Sequence, residues 1–475
     1  MTFLPWRSGS LALAALTVVS LLLGGPARAA TDAPNASADV QGDALARTLV
    51  ARTTADGAMR HLAAFQHIAD EAGGNRAAGT PGHDRSARYA GALLTAAGYR
   101  VTYQRFTFPY REPVTERLTV LGDQPRDIPV NALTYTANTP EGGLTAGLAP
   151  AGTGCAADDF DPAAHTGRIA LIERGTCTFA AKQANAAAAG AVGALVFNNA
   201  PGELSGTLGG PDPDAIPTGG ITRDAGRELA AELAAGRPVT VRLELAELAE
   251  ERTTTNVLAE TRGGDPSRVV LAGAHLDSVP EGPGINDNGS GAAGVLETAL
   301  RLAEADPAGR HPHKVRFALW SAEEFGLLGA RHHVNGLSPA AREDIALYLN
   351  FDMIGSPNHG LFVHDGDPAI AADLTAFLTE RGHTPRGTPF DGRSDYAPFV
   401  EAGIPSGGLF TGAEGIKSPE EAERWGGTAG VAYDPCYHAA CDDLGNIGRT
   451  ALGLGVKAIA HAVGRYAWGV PDSSP

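Results

Sequence analysis

Gly273-Ala-His-Leu-Asp-Ser-Val-Pro-Glu-Gly-Pro-Gly-Ile-Asn-Asp-Asn-Gly-Ser-Gly291 is the stretch around which the chain is organised. The apolar run Val269–Ala272 before it predicts a buried strand, and the apolar periodicity from Ala292 to Leu302 after it predicts a helix. His275 then stands at the carboxyl end of a strand and Asp287 just before a helix. Imidazole and carboxylate together suit a zinc-like ion. Asp277, two residues past His275, shares its side of an extended segment and could accept the other ring N–H, fixing the tautomer. A phosphate-cradling loop fits poorly, because Gly282-x-Gly284 is followed by Asp287 and no Gly-Lys-Ser/Thr comes after it. On this stretch alone, a glycine-rich loop with a chance His and Asp is an equal alternative.

Upstream, Arg7, the short apolar run Leu11–Leu23 and Ala27-Arg28-Ala29 read as a secretory signal peptide over residues 1–30, too short to span a bilayer. Residues 31–44 form an N-terminal segment. From Leu45 to Gly98 helices are expected, with His61 and His67 as packing or surface residues. Asn75–Gly82 reads as a loop, Ser86–Ala97 as a helix closed by Gly98, and Tyr99–Phe108 as an alternating strand. The texture then changes. Between Glu112 and Ala249 a strand (Arg168–Glu173), an Ala-rich helix (Ala180–Ala189) and a second strand (Ala194–Phe197) form a unit of their own, followed by the breaker-rich Pro211-Asp-Pro-Asp214. Thr254–Glu260 returns to strand. The expected architecture is α/β, a mostly parallel central sheet flanked by helices. A smaller α/β domain at 112–249 splits the main domain into 45–111 and 250–470, leaving a tail at 471–475. A formal charge of −17 argues against a nucleic-acid or anionic-membrane partner. Four cysteines in an exported chain point to two disulfides, and proximity favours Cys155–Cys177 and Cys436–Cys441.

Downstream, Lys314–Trp320 reads as a strand ending in Ser321-Ala-Glu-Glu324. Adjacent carboxylates point apart, so one could ligate while the other serves as a base; an acidic helix start is the plainer alternative. Ile345–Phe351 is a strand ending at Asp352, and Ser406–Phe410 is a late strand. A Cys436–Cys441 loop would hold His438 rigidly. His311, His313, His332 and His333 read as solvated. Taken together, His275, Asp287, Glu324, Asp352 and His438 are too many for one tetrahedral ion with an open position. They suit two ions ~3.5–4 Å apart, with Asp287 as the bridge and Glu323 as the general base. Three of the five follow separate strands, where open α/β sheets bind ligands.

Gly273-Ala-His-Leu-Asp-Ser, Gly284-Ile-Asn-Asp-Asn-Gly-Ser-Gly, Trp320-Ser-Ala-Glu-Glu-Phe-Gly-Leu-Leu-Gly-Ala, Asn350-Phe-Asp-Met-Ile-Gly and Cys436-Tyr-His resemble the M28 family of zinc-dependent aminopeptidases, nearest to the secreted leucine-type members from Streptomyces. The resemblance covers about Leu45–Tyr110 and Thr254–Tyr466 and matches all five donors and the Glu base. It departs at Ala330, where the family often has Ser. Leu171-Ile-Glu-Arg-Gly-Thr-Cys-Thr-Phe and Gly193-Ala-Leu-Val-Phe-Asn-Asn resemble a protease-associated (PA) domain, as in the larger members. The resemblance implies two zinc ions per chain and peptide or protein substrates with a free amino terminus. It implies Tyr437 as oxyanion donor, Arg393, in Asp391-Gly-Arg-Ser-Asp-Tyr, as a contact for the substrate terminus, and Asp277 as a residue behind a ligand. A secreted monomer follows; a calcium ion is left open. The alternatives are a metallocarboxypeptidase or dipeptidase on the same scaffold, or a non-catalytic protein that works through its PA domain.

Overall fold

The computed structural model describes residues 33–470; the signal-peptide reading and residues 471–475 lie outside them. Among the described residues three helices come first: α1 (Ala33–Arg52), α2 (Ala55–Asp70) and α3 (Pro81–Ala96). α3 starts five residues earlier than the sequence periodicity indicates. Thr80 accepts from the His83 amide as N-cap and Pro81 opens the first turn, where its missing N–H costs nothing.

Fourteen strands follow in chain order: β1 (Arg100–Leu121), β2 (Arg126–Ile128), β3 (Val130–Ala132), β4 (Leu144–Pro150), β5 (Ile169–Glu173), β6 (Gly193–Phe197), β7 (Thr218–Ile221), β8 (Thr240–Glu260), β9 (Asp265–His275), β10 (His313–Trp320), β11 (Ile345–Phe351), β12 (Phe362–His364), β13 (Arg386–Thr388) and β14 (Ser406–Phe410). In the main part the order is β13-β12-β14-β11-β9-β10-β8, with β1 beyond β8. β14, β11, β9 and β10 are mutually parallel, while β12 and β8 run antiparallel on either side. Buried on both faces, these centre strands read as continuous apolar runs. In register, Trp320 lies beside His275 and Asn350 beside Gly273, so the loops after β9, β10 and β11 all open at one edge. Gly273 has no side chain for a physical reason: a Cβ there would press on the Trp320 indole and the Tyr348 hydroxyl, which are joined by a 2.9 Å hydrogen bond.

β1 and β8 form one long antiparallel ribbon, paired from Arg100↔Glu260 to Leu121↔Thr240 with an irregularity between Pro113 and Thr115. β1 therefore runs well past Phe108, where the alternation in sequence stops. The expected borders at 111/112 and 249/250 fall inside the ribbon. Its near half carries Phe106, Phe108 and Tyr110, which pack with Ala78 and Ala322 and against Phe325. Its far half joins a second sheet, where β4, β5, β6 and β7 are parallel. That sheet is covered by the helices Phe179–Ala188 and Arg223–Ala234 and has its own core around Leu171, Leu195, Leu229 and Val241.

The histidines correct one expectation. His67 is exposed and His61 is buried against Tyr89, as expected. His332 is exposed too, stacked on Phe106. But His311, His313 and His333 are buried, not solvated. His311 is 2.8 Å from Asp306, which closes the turn after the helix Gly291–Ala305. His313 is 2.9 Å from the Tyr466 carbonyl. His333 packs on Trp320 with neither ring nitrogen partnered. Two of the three are buried by a polar partner and one by an aromatic ring, none of which is its neighbour in sequence.

Candidate metal centre

His275 is the last residue of β9, Asp352 the first after β11, and Glu323 and Glu324 lie in the turn after β10. That turn is not the acidic helix start that the pair alone favours. The next helix begins at Leu328, and Ala322 and Leu327 both have positive φ, 55° and 62°. Asp287 sits on the irregular turn Ile285–Ser290 that leads into the helix Gly291–Ala305, and its peptide to Asn288 is cis. His438 lies in the loop closed by the Cys436–Cys441 disulfide. The other disulfide is Cys155–Cys177, so both expected pairs are present.

The five expected donors meet in two overlapping clusters. One is His275, Asp287 and Asp352; the other is Asp287, Glu324 and His438. Within each, one ligand atom per residue lies within 4.8 Å of the others. His275 Nε2 is 3.2 Å from Asp287 Oδ1 and 3.4 Å from Asp352 Oδ1. His438 Nε2 is 3.2 Å from Asp287 Oδ2 and 3.1 Å from Glu324 Oε2. Asp287 alone belongs to both. Glu323 stands just outside, its Oε2 3.9 Å from His275 Nε2.

The electrostatics reflect crowded carboxylates. Burial pushes the Glu323 carboxyl well above its ordinary range; His275 opposes and Glu324 and Asp395 add to it. Burial also lifts Glu324 to about 7 against the pull of His438. Burial works against charge on His275 and His438, yet Glu323 and Asp352 outweigh it for the first, and Glu324 and Asp287 for the second, so both imidazoles are raised well above the usual value. Asp287 is held low despite burial, because both histidines face it. Glu324 Oε1 and Asp352 Oδ1 are buried with no hydrogen-bond partner. Excess negative charge, unpartnered oxygens and two imidazoles are a donor set that divalent cations satisfy.

The surrounding residues differ in part from expectation. Asp277 lies behind His275, but the ring Nδ1 is closer to its backbone carbonyl (3.2 Å) than to its carboxylate (3.7 Å). The carboxylate accepts instead from the Glu323 amide. Tyr437 stacks on His438, with centroids 3.8 Å apart. Arg393 pairs with Glu414 at 2.9 Å and donates to the Tyr437 hydroxyl at 3.2 Å. Three positions were missed. Ser394 donates to Asp352 Oδ2 at 2.6 Å. Asp442, next to Cys441, accepts from the amides of Asn286 and Asp287 at 2.8 and 2.9 Å. Asn288 accepts from the Met353 amide and donates to the Phe351 carbonyl, tying the Asp287 turn to the end of β11. For Asn288 the available signal was its place beside Asp287 in the chain. The donors themselves line a cavity of about 90 Å³, together with Met353, His364, Tyr396, Phe410 and Ala413.

Residues 256–463 match the pattern of Peptidase family M28, and residues 141–229 match that of the PA domain. The chain is 42% identical to the probable lipoprotein aminopeptidase LpqL of Mycobacterium tuberculosis, over 98% of this chain and 95% of that protein. Among solved structures, an aminopeptidase from Aneurinibacillus sp. strain AM-1 is 30% identical with a TM-score of 0.71, covering 88% of this chain and 95% of its own. The zinc aminopeptidase BSAP from Bacillus subtilis is 29% identical with a TM-score of 0.65, covering 86% and 94%.

Proposed function

The chain belongs to peptidase family M28, and from that premise we propose that it is a secreted, two-zinc aminopeptidase that removes the first residue of peptides with a free amino terminus. The observation that carries this is Asp287, whose two oxygens face different histidines at 3.2 Å each. One carboxylate shared by two clusters supports one ion held by His275, Asp287 and Asp352 and a second held by Asp287, Glu324 and His438. The mixed imidazole–carboxylate set favours zinc over magnesium or calcium. When bound, such a pair lowers the pKa of a water toward neutrality and polarises the peptide carbonyl.

The chain's own groups do the rest. Glu323 lies outside both clusters, and its burial raises its affinity for a proton. It takes the proton of the attacking water and passes it to the leaving amine. Arg393 donates to the Tyr437 oxygen, which leaves the phenol's own hydrogen free to point at the substrate. Tyr437 then donates to the carbonyl oxygen as it becomes an oxyanion, an effect worth ~3 kcal/mol when such a donor is lost. Asp352 and Glu323 receive the substrate ammonium, which selects amino termini. The first side chain enters the cavity that these donors share with Met353, His364, Phe410 and Ala413. The catalytic part is 45–111 with 250–470, and the 112–249 insert forms a rim without catalytic groups. Two disulfides support export, and no helix of the described residues is long and apolar enough to cross a membrane.

Leu-p-nitroanilide against its N-acetyl form tests the direction of attack. The free amine is cleaved and the acetylated form is not, because acetylation leaves the buried carboxylates without a partner. Equal rates on both overturn the aminopeptidase reading.

A further inference from the structure

Arg76 sits in the Asn75–Gly82 loop, outside the segment that matches the peptidase family. Its side chain is wholly buried. A buried guanidinium ordinarily faces a carboxylate, yet the hydrogen bonds of this one all go to backbone carbonyls of a single loop. Nε donates to the Pro283 carbonyl at 2.9 Å, Nη1 to that of Leu276, and Nη2 to that of Gly284 at 2.5 Å. The main chain adds to the grip: the Arg76 amide donates to Ser278 Oγ at 2.9 Å, and Asn75 Nδ2 to the Pro280 carbonyl at 3.0 Å. From below, the guanidinium plane is supported by the Phe65 ring of α2, 5.1 Å away.

The gripped loop begins at the residue after His275 and ends three residues before Asp287. It has no regular structure, and Pro280 and Pro283 have no amide to donate. Its buried carbonyls need donors from elsewhere. We propose that Arg76 is a positioning residue for the metal centre: its planar fork ties both ends of the 276–284 loop and so sets the spacing between His275 and Asp287. A lysine cannot replace it, because an ammonium is a point donor and cannot span three carbonyls in a plane. Burial lowers the Arg76 pKa to about 10, with Asp277 and Asp442 opposing, so the group keeps its charge at neutral pH.

This rests on His275 and Asp287 being metal ligands. The test is zinc affinity, measured by competition with a chelating dye on the full mature protein and its Arg76→Lys and Arg76→Met variants, well below their melting temperatures. A purely structural loss does not move that quantity. Hydrogen exchange of the 276–288 segment is read in parallel. Both variants should bind zinc ~10–100-fold more weakly, with faster exchange in the segment and a fall in kcat that saturating zinc does not restore. Should Arg76→Met not fold, Arg76→Lys carries the test. Wild-type zinc affinity and wild-type exchange in Arg76→Lys overturn the proposal. A wild-type protein that binds no zinc overturns the ligand reading beneath it instead.

Discussion

Glu323 and Glu324 are adjacent in the chain and face different work. Glu324 is 3.1 Å from His438 within a donor cluster, while Glu323 approaches only His275, at 3.9 Å. Glu323→Gln should keep its zinc and lose kcat by ~10²–10⁴-fold, whereas Glu324→Gln should lose metal as well. Zinc content by elemental analysis alongside kcat checks both, and a Glu323→Gln variant with full activity refutes the base. The donors were legible because imidazole and carboxylate at strand ends are a chemical pattern. Ser394 and Asp442 were not, because their partners, Asp352 and the Asp287 amide, lie 42 and 155 residues away and only the fold joins them. His333 reads as a surface residue but packs on Trp320 with neither ring nitrogen partnered, and its burial has a measurable consequence. Burial, helped by Arg316, lowers its pKa from 6.5 to about 3. The folded protein therefore binds fewer protons here than the open chain does, so stability is intact above about pH 6.5 and falls as pH drops toward 3. The loss should be roughly 2 kcal/mol between pH 7 and pH 5. Urea unfolding of His333→Leu should show a shallower decline over that range than wild type, and parallel declines refute the assignment.

β9, β10, β11 and β14 were legible as elements because both faces are buried and the runs are apolar throughout. β1 extends past the Phe108 at which the alternation in sequence stops, and it carries Pro109 and Pro113. They are tolerated because β1 is an outer strand: over those residues it pairs with β8 alone, opposite Glu251 and Glu247. α3 begins ahead of its apolar periodicity because Thr80-Pro81, loop-like in composition, is a helix cap. The element that matters most to the site is the Cys436–Cys441 loop. It presents Tyr437 and His438, and Asp442, the residue just after it, holds the amides of Asn286 and Asp287. The disulfide thus steadies donors on two separate loops. Replacing both cysteines by serine should weaken zinc binding ~10–100-fold, as losing an outer support of a metal site does, and of the two proposed ions the one at Glu324 and His438 should be lost first. Titrating zinc into the double variant checks this; two ions bound with unchanged affinity refute it.

At the scale of the molecule, the two cores do not share residues. The clusters around Val270, Leu271 and Phe108 draw only on chain before Glu112 and from Leu248 onward, and the insert's clusters lie between Leu118 and Leu245. Among the described residues the main link is the β1–β8 ribbon, with Tyr135 and Asn138 of the insert also bonded to Glu247 of β8; the ribbon is already a hairpin in all but its turn. Cutting it where Pro113 faces Glu247 and joining those residues through Asn-Gly leaves a two-residue hairpin of the favoured twist. Removal of residues 114–246 in this way keeps Tyr110, Leu248 and Phe325, so the packing beneath Glu323 survives. The shortened chain should fold, hold its zinc, and cleave Leu-p-nitroanilide with kcat/KM within about tenfold of the parent, a change under about 1.4 kcal/mol. If the insert is the proposed rim, a small amide stays clear of it and a long peptide touches it, so the ratio of rates on long and short substrates should shift. If the shortened chain unfolds cooperatively and binds zinc as the parent does but no longer cleaves the small amide, then the insert supplies a group that the chemistry needs, and its place as a rim is wrong.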